Sequence, residues 1–79
     1  MATIITIEGE ELKLKNLSRD ALQKAVGGYI EVIRIPDKGR MVINEEGANL
    51  GLAVNNAASL IYGQRVYGDV VLLDKDDKV

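Results

Sequence analysis

The side chains that most often perform acid–base or nucleophilic chemistry are nearly absent from this chain. It contains no histidine and no cysteine, which removes the usual proton-transfer group near neutral pH and the thiol nucleophile. Its serines are Ser18 and Ser59. Ser18 stands where a helix cap belongs, and Ser59 falls inside a predicted helix with no predicted base nearby. The sequence therefore predicts a protein that is not an enzyme.

The segment best suited to binding runs over residues 44–56, where asparagines, glycines and adjacent glutamates lead into a predicted helix. Free backbone N–H groups at a helix N-terminus can hold an anion such as a nucleotide phosphate. Arginine and tyrosine side chains can add charge and a stacking face. The predicted ligand-binding residues are Asn44, Glu45, Glu46, Gly47, Asn55, Arg40 and Tyr62, with Arg34, Arg65 and Tyr67 as further candidates. The alternative is that this loop only packs across the sheet.

Three other patterns resemble binding sites but are better explained as structure. Glu45 and Glu46 offer the oxygen ligands that magnesium and calcium prefer, yet with Asn44 they are too few. The aspartates at positions 74, 76 and 77 are interrupted by lysine and lack the glycine and distal glutamate of a calcium loop. The glycines at 27 and 28 follow a helix, whereas a phosphate loop precedes one. No metal site and no cofactor are predicted.

The size of the chain favours self-association. Its 79 residues suffice for one domain, predicted to span residues 1–79. Such a small domain is thinly stable, and without cysteine or histidine neither a disulfide nor an ordinary zinc site can reinforce it. Oligomerisation is the remaining common remedy, so we expect a homo-oligomer.

Charge and hydropathy limit the partners and the cellular location that can be expected for this protein. Ten basic and twelve acidic residues give a formal charge of −2, which lacks the basic footprint of nucleic-acid-binding proteins. No apolar run approaches the roughly 18 residues of a membrane span. The first residues lack the basic region and cleavage site of a signal peptide. The expected location is the cytoplasm, with no membrane association.

The residue pattern predicts elements in the order β-β-α-β-β-α-β. Strands are expected over residues 3–7 and 12–15, with Leu12 and Leu14 facing the core. A helix capped by Ser18 and stopped by Gly27 follows. A strand over residues 29–35, which is too apolar to face water on both sides, pairs with residues 40–44 across a turn at 36–39.

The second predicted helix begins at residue 55 or 56 and ends at 62, with Gly63 as its stop. Its inward face is expected to comprise Ala57 or Ala58, Leu60 and Ile61. A buried strand over residues 69–73 precedes a polar tail, residues 74–79, that is expected to fray. The predicted fold is an α+β domain with a mainly antiparallel sheet, covered on one side by two short helices.

Four stretches, VGGYIE at residues 26–31, NEEG at 44–47, GLAVN at 51–55 and GDVV at 68–71, resemble a family of short phage and bacterial domains of unknown function. The similarity covers most of the chain, although Ala53 stands where that family often has proline. The resemblance implies a phage or mobile-element setting, in the bacterial cytosol or a phage-infected host, and an accessory role. It supplies no catalytic residues.

The leading hypothesis is a non-enzymatic accessory binding protein that holds a small anionic, nucleotide-like ligand or blocks a host factor. Alanine at Asn44, Glu45, Glu46 and Asn55 is then expected to abolish binding without unfolding the protein. In a second hypothesis the chain docks on a protein partner through an exposed strand edge such as residues 3–7. A third, a nucleic-acid accessory protein, conflicts with the balanced charge.

Overall fold

The computed structural model describes residues 2–77. Within this range the elements are β1 (Ala2–Ile5), β2 (Glu11–Leu14), α1 (Arg19–Val26), β3 (Ile30–Ile35), β4 (Gly39–Asn44), α2 (Asn56–Tyr62) and β5 (Val70–Leu73). Their order confirms the predicted β-β-α-β-β-α-β arrangement of an α+β domain.

The described strands form one antiparallel sheet with the spatial order β2-β1-β5-β4-β3. The hairpins β1–β2 and β3–β4 are the two local pairings that the sequence predicts. β5 joins the hairpins, because it pairs with β1 on one side and with β4 on the other. β1 is therefore an inner strand, and the prediction that residues 3–7 offer an exposed edge is wrong. The edges of the sheet are β2 and β3.

The two helices cover opposite faces of the sheet. Successive strand residues point to opposite faces, so Val71 packs with Leu22 and Val26 of α1, whereas Val70 packs with Ala58 of α2. We call these the α1 face and the α2 face. The prediction that both helices cover one side is wrong, because β5, a wholly apolar VVLL strand, needs cover on both of its faces.

The helix ends follow the sequence prediction closely. The Ser18 side chain caps α1 by accepting a hydrogen bond from the Ala21 N–H at 3.2 Å. Asn55 is the N-cap of α2. Gly27 and Gly63 end the two helices with φ angles of 80° and 89°, which glycine adopts at little cost.

Several apolar residues expected in the core lie at the surface. Leu12 is 49% exposed and Val32 is 43% exposed, because β2 and β3 are edge strands. Leu60 is 85% exposed, since Ala58 and Ile61 occupy the inward side of α2. As predicted, β3 does not face water on both sides, because Ile33 and Ile35 pack on the α2 face, although its α1 face exposes Val32 and Arg34. Leu14 does pack against the α1-face cluster, as expected.

The segment after β5 forms a turn rather than an extended chain. The Asp77 N–H donates to the Asp74 carbonyl at 3.0 Å, and the Asp74 N–H donates to Asp77 Oδ2 at 2.8 Å. The Arg40 guanidinium also donates to the Asp77 carbonyl. Residues 78 and 79 of the predicted tail lie outside the described residues, and its fraying stays a prediction.

Candidate functional site

Asn44, at the end of β4, is committed to the fold. Its side chain is only 4% exposed. Nδ2 donates to the Val26 carbonyl at 3.1 Å, and Oδ1 accepts from the Glu46 N–H at 2.8 Å. Because the last carbonyls of a helix have no partner within the helix, Asn44 satisfies one of them at the end of α1. It ties α1 to the sheet.

Asn55 has a similar structural role at the start of α2, the helix on the opposite face of the sheet. It is fully buried, and its Nδ2 donates to the carbonyls of Ile5 and Gly68, both at 2.9 Å. Its Oδ1 accepts from the Ala58 N–H at 3.0 Å, which caps α2. The amide thus joins β1, the segment before β5 and the start of α2. Both amide hydrogens and the oxygen are used within the chain.

The loop between β4 and α2 is folded on its own backbone. The Leu50 N–H donates to the Glu46 carbonyl at 2.8 Å, and the Leu52 N–H donates to the Gly47 carbonyl at 3.0 Å. Gly47 is buried, and a Cβ on it would lie 3.1 Å from the Tyr67 carbonyl oxygen. The side chains of Glu45 and Glu46 remain in solvent.

The predicted ligand-binding residues do not converge on one surface. Residues 44–47 lie at one end of β4 and Arg40 at the other, about 13 Å away at the usual rise per strand residue. Tyr62 packs on the α2 face. The N-terminus of α2 is already capped by Asn55. That these residues bind one ligand stays a prediction, although the structure places them on different surfaces.

Replacing Asn44 with alanine is expected to lower the free energy of unfolding by about 1–3 kcal/mol, because the buried Val26 carbonyl loses its donor. Alanine at the exposed Glu45 or Glu46 is expected to change it by less than about 0.5 kcal/mol. Denaturant unfolding of the three variants measures this. Equal effects at all three positions would contradict the structural role of Asn44. If Asn44→Ala alone destabilises the protein, a variant with several of these alanines combined cannot distinguish lost binding from lost stability.

A different group of basic residues meets at the β3–β4 hairpin. Arg34 and Arg40 are directly opposite each other in the strand register, and Arg40 also lies opposite Leu73 of β5. Because Leu73 packs on the α1 face, both arginines belong to that face. A cleft of about 610 Å³, here called the hairpin cleft, is lined by Val32, Arg34, Ile35, Asp37, Gly39, Arg40 and Lys75.

The charges in the hairpin cleft are incompletely balanced. Like charges directly opposite on antiparallel strands repel each other. Arg40 donates to a neutral acceptor, the Asp77 carbonyl. Arg34 and Lys75 have no hydrogen-bond or ion-pair partner among residues 2–77. An anion between the arginines would relieve the repulsion, since a guanidinium group donates two parallel hydrogen bonds to phosphate or carboxylate.

Asp37 and Asp77 limit the positive charge near this cleft. Asp37 lines it directly. The hydrogen bond from the Asp74 N–H holds the pKa of Asp77 below its usual value, and the positive charge of Arg40 acts in the same direction. Asp77 therefore keeps its negative charge beside the arginine, which limits the net positive charge of this region.

The sequence contained part of this site. The residue pattern predicts anion contacts for Arg34 and Arg40, but it places them at the loop over residues 44–56 and not at the hairpin. The predicted hairpin places residues 34 and 40 symmetrically about residue 37, so its register was the signal that pairs them. In the sequence, Lys75 appears only as an interruption among aspartates. Its position depends on the pairing of β5 with β4, which no local pattern indicates.

Two other concave surfaces have fewer charged side chains in their linings. One, of about 600 Å³, is lined mainly by α2 and the residues after it, including Leu60, Ser59 and Arg65. The other, of about 280 Å³, lies near the end of α1. Across residues 2–77 no group of three acidic, histidine or cysteine side chains is placed to hold a metal ion. Neither helix in that range has the length and apolar character that crossing a bilayer requires.

These features define a small α+β domain, with a five-stranded antiparallel sheet and one helix on each face among the described residues. The family model described as "Domain of unknown function (DUF3846)" matches residues 1–79, and the chain belongs to that family. This confirms the expectation that it is a member of a family of short domains of unknown function. No curated protein matches the chain, and no solved structure matches it.

Proposed function

We propose that this chain is a non-enzymatic binding protein that holds a small phosphate-bearing, nucleotide-like anion in the hairpin cleft. The observation that supports this is the pairing of Arg34 with Arg40 across the hairpin, on the α1 face of the sheet. Lys75 adds a third cation to the same lining. Two guanidinium groups and an ammonium group suit a phosphate group that carries more than one negative charge.

The absence of catalysis is part of this proposal. The chain has no histidine or cysteine. Its two serines take part in structural contacts: Ser18 caps α1, and Ser59 Oγ accepts from the Val66 N–H at 2.8 Å. The hairpin cleft has charged groups that can bind and orient an anion, and its lining contains no histidine, cysteine or serine.

The setting that we propose follows from the family resemblance. It is that of a small accessory protein of a phage or mobile element, acting in the cytoplasm of a bacterium or of a phage-infected host. In that setting, the protein either removes a phosphorylated small molecule from solution or blocks a host factor. The sequence resemblance supports the setting, and the hairpin cleft supports the anion.

Titration calorimetry with inorganic pyrophosphate at low salt tests the anion. Arg34→Gln is expected to weaken binding by about tenfold or more, because it removes a charge-assisted interaction from the cleft. Arg65→Gln is the matched control, since Arg65 is an exposed arginine on a different surface. It is expected to bind pyrophosphate as the unmodified protein does, apart from a small general charge effect.

The same titration separates the cleft from the loop at residues 44–56. A Glu45→Gln, Glu46→Gln variant keeps its fold because both side chains are exposed. Unchanged pyrophosphate binding in this variant, with loss in Arg34→Gln, supports the cleft. No binding by the unmodified protein, or equal weakening by Arg34→Gln and Arg65→Gln, rejects it.

A second candidate function, docking on a protein partner through an exposed strand edge, is favoured by one specific feature. The exposed edge of β3 is six residues long and largely apolar. This differs from the earlier hypothesis in the strand that is used, because β1 is an inner strand. A peptide adding to β3 would extend the sheet by backbone hydrogen bonds.

A further inference from the structure

We propose that two copies of this chain pair antiparallel through their β3 strands, which joins their sheets into one. The proposal is independent of the anion. Both copies would use the same surface, as a closed dimer with two-fold symmetry requires.

The two edge strands differ in length and in apolar content. β2 has four residues and carries Glu11 and Lys13, and a short charged strand is a common way to prevent edge-to-edge pairing. β3 has six residues, of which four are isoleucine or valine. It also carries the exposed charged residues Glu31 and Arg34, but it contains no lysine and no proline, and Pro36 follows after the strand ends. β3 is therefore the longer and more apolar edge, and the better suited to pairing.

The free backbone groups of β3 can be assigned from the hairpin register. The Glu45 N–H donates to the Tyr29 carbonyl at 2.9 Å, which makes residues 29 and 45 a hydrogen-bonded pair. Because such pairs alternate along an antiparallel ladder, odd-numbered residues of β3 direct their backbone groups towards β4. The residues whose N–H and C=O groups point away from the sheet are Ile30, Val32 and Arg34.

A second copy satisfies these groups when Val32 lies opposite its own counterpart. Ile30 of each copy then lies opposite Arg34 of the other, so all three outward residues form hydrogen-bonded pairs, and no like charges are directly opposed. A shift of two residues one way places Glu31 opposite Glu31. The opposite shift places Pro36, which has no N–H, opposite Ile30. The sequence of β3 thus selects one register.

This register covers the exposed apolar residues at the edge. Val32, which is 43% exposed, contacts its counterpart on the α1 face. Tyr29, which is 68% exposed, lies opposite Ile35 of the second copy, but Ile35 is already buried in its own chain at 3% exposure, so Tyr29 contributes less to this contact than Val32. A second copy therefore fits the edge in backbone hydrogen bonding, in charge and in apolar contact.

The dimer also changes the hairpin cleft. The two-fold axis stands perpendicular to the joined sheet, so both α1 faces lie on the same side. Val32 and Arg34 line the cleft and belong to the paired strand. Ile30 of the second copy lies beside Arg34 and packs on its aliphatic stem. Each copy then supplies a wall of the other copy's cleft.

Sedimentation velocity over a wide range of protein concentration tests the dimer. Val32→Pro removes an outward N–H without removing a β3–β4 hydrogen bond, and proline is tolerated at such edge positions. It is expected to weaken the dimer by about 30-fold or more, because both hydrogen bonds at the two-fold axis are lost. Val32→Lys, which brings like charges together at the axis, is a second variant that leaves the backbone unchanged.

Lys13→Pro is the matched control on the other edge. The Thr6 N–H donates to the Glu10 carbonyl, so by the same alternation Lys13 directs its backbone groups outward from β2. This variant is expected to dimerise as the unmodified protein does. Amide exchange adds a second readout, with slow exchange expected at Val32 and Arg34 only in the dimer.

The outcomes separate this proposal from the anion site. A monomer at every concentration, with rapid exchange at Val32 and Arg34, rejects the dimer, as does a dimer that Val32→Pro and Val32→Lys leave intact. Protection at those amides only when another protein is added identifies a foreign strand and also rejects it. A dimer that binds no pyrophosphate keeps this inference and removes the anion proposal, whereas a monomer that binds pyrophosphate does the reverse.

Discussion

Asn55→Ala is expected to lower the free energy of unfolding by about 3–5 kcal/mol, because buried groups left without hydrogen-bond partners are costly. The carbonyls of Ile5 and Gly68 lose their donor, and the Ala58 N–H loses its acceptor. The first of these contacts joins residues 50 positions apart in the chain. Chemical denaturation monitored by circular dichroism measures the loss.

Two further variants divide the role of this side chain. Asn55→Asp keeps an oxygen to cap α2 but loses the amide hydrogens that reach the two carbonyls, so we expect a loss nearly as large. Asn56→Ala, at the neighbouring exposed residue, is expected to change the stability by less than about 0.5 kcal/mol. A stable Asn55→Ala protein with an unchanged midpoint would contradict the role of Asn55 as a bridge between elements.

Gly39→Ala is expected to lower the free energy of unfolding by about 3 kcal/mol or more, since overpacking and backbone strain add together at this position. Gly39 begins β4 with a φ of 100°, and a Cβ there would clash with the carbonyl oxygen of Leu73 in β5. The colliding atom belongs to the backbone of a central strand, so it cannot rotate away. Thermal and denaturant unfolding both report the effect.

Gly51→Ala is the matched control for Gly39→Ala. Its φ of 72° is also positive, but a Cβ there would meet nothing within 4 Å. Its cost is therefore conformational strain alone, about 1 kcal/mol. The difference between the two variants measures the close approach of β4 and β5. Equal losses would show that the backbones separate easily at this point.

The parts of the fold that depend on near neighbours in sequence could be predicted. Ser18 and Asn55 cap helices, Gly27 and Gly63 end them, and the turn at residues 36–39 forms a hairpin. Each of these features is determined within a few residues, where propensity and turn chemistry act. Element boundaries accordingly lie within one or two residues of the predicted ones.

The edges and faces of the sheet could not be predicted, because they depend on β5. Its register with β1 pairs Ile4 with Val71, across most of the chain. Until that pairing is known, a strand such as β1 looks equally suited to an edge, and the two helices can be placed on either face. The exposure of Leu60 and Val32 follows from the same long-range arrangement.

The structural roles of Asn44 and Asn55 could not be predicted for a related reason. Asn44 and Asn55 are polar residues beside glycine-rich loops, which is a pattern that binding sites and structural bridges share. Their partners lie 18 and 50 residues away, so the sequence gives no sign that their amides are used. The Arg34–Arg40 pair, by contrast, lies within one hairpin and follows from its register alone.

The central place of β5 also bears on how the chain folds during translation. Both hairpins and both helices leave the ribosome before the strand that joins them, because β5 follows them in sequence. Until it emerges, β1 and β4 each present an unpaired inner edge, and neither face of the nascent sheet has its full core. Folding that depends on pairing between distant parts of the chain is slow, and its intermediates expose apolar surface that promotes aggregation. The nascent chain is therefore most vulnerable to aggregation in the interval before residues 70–73 clear the exit tunnel.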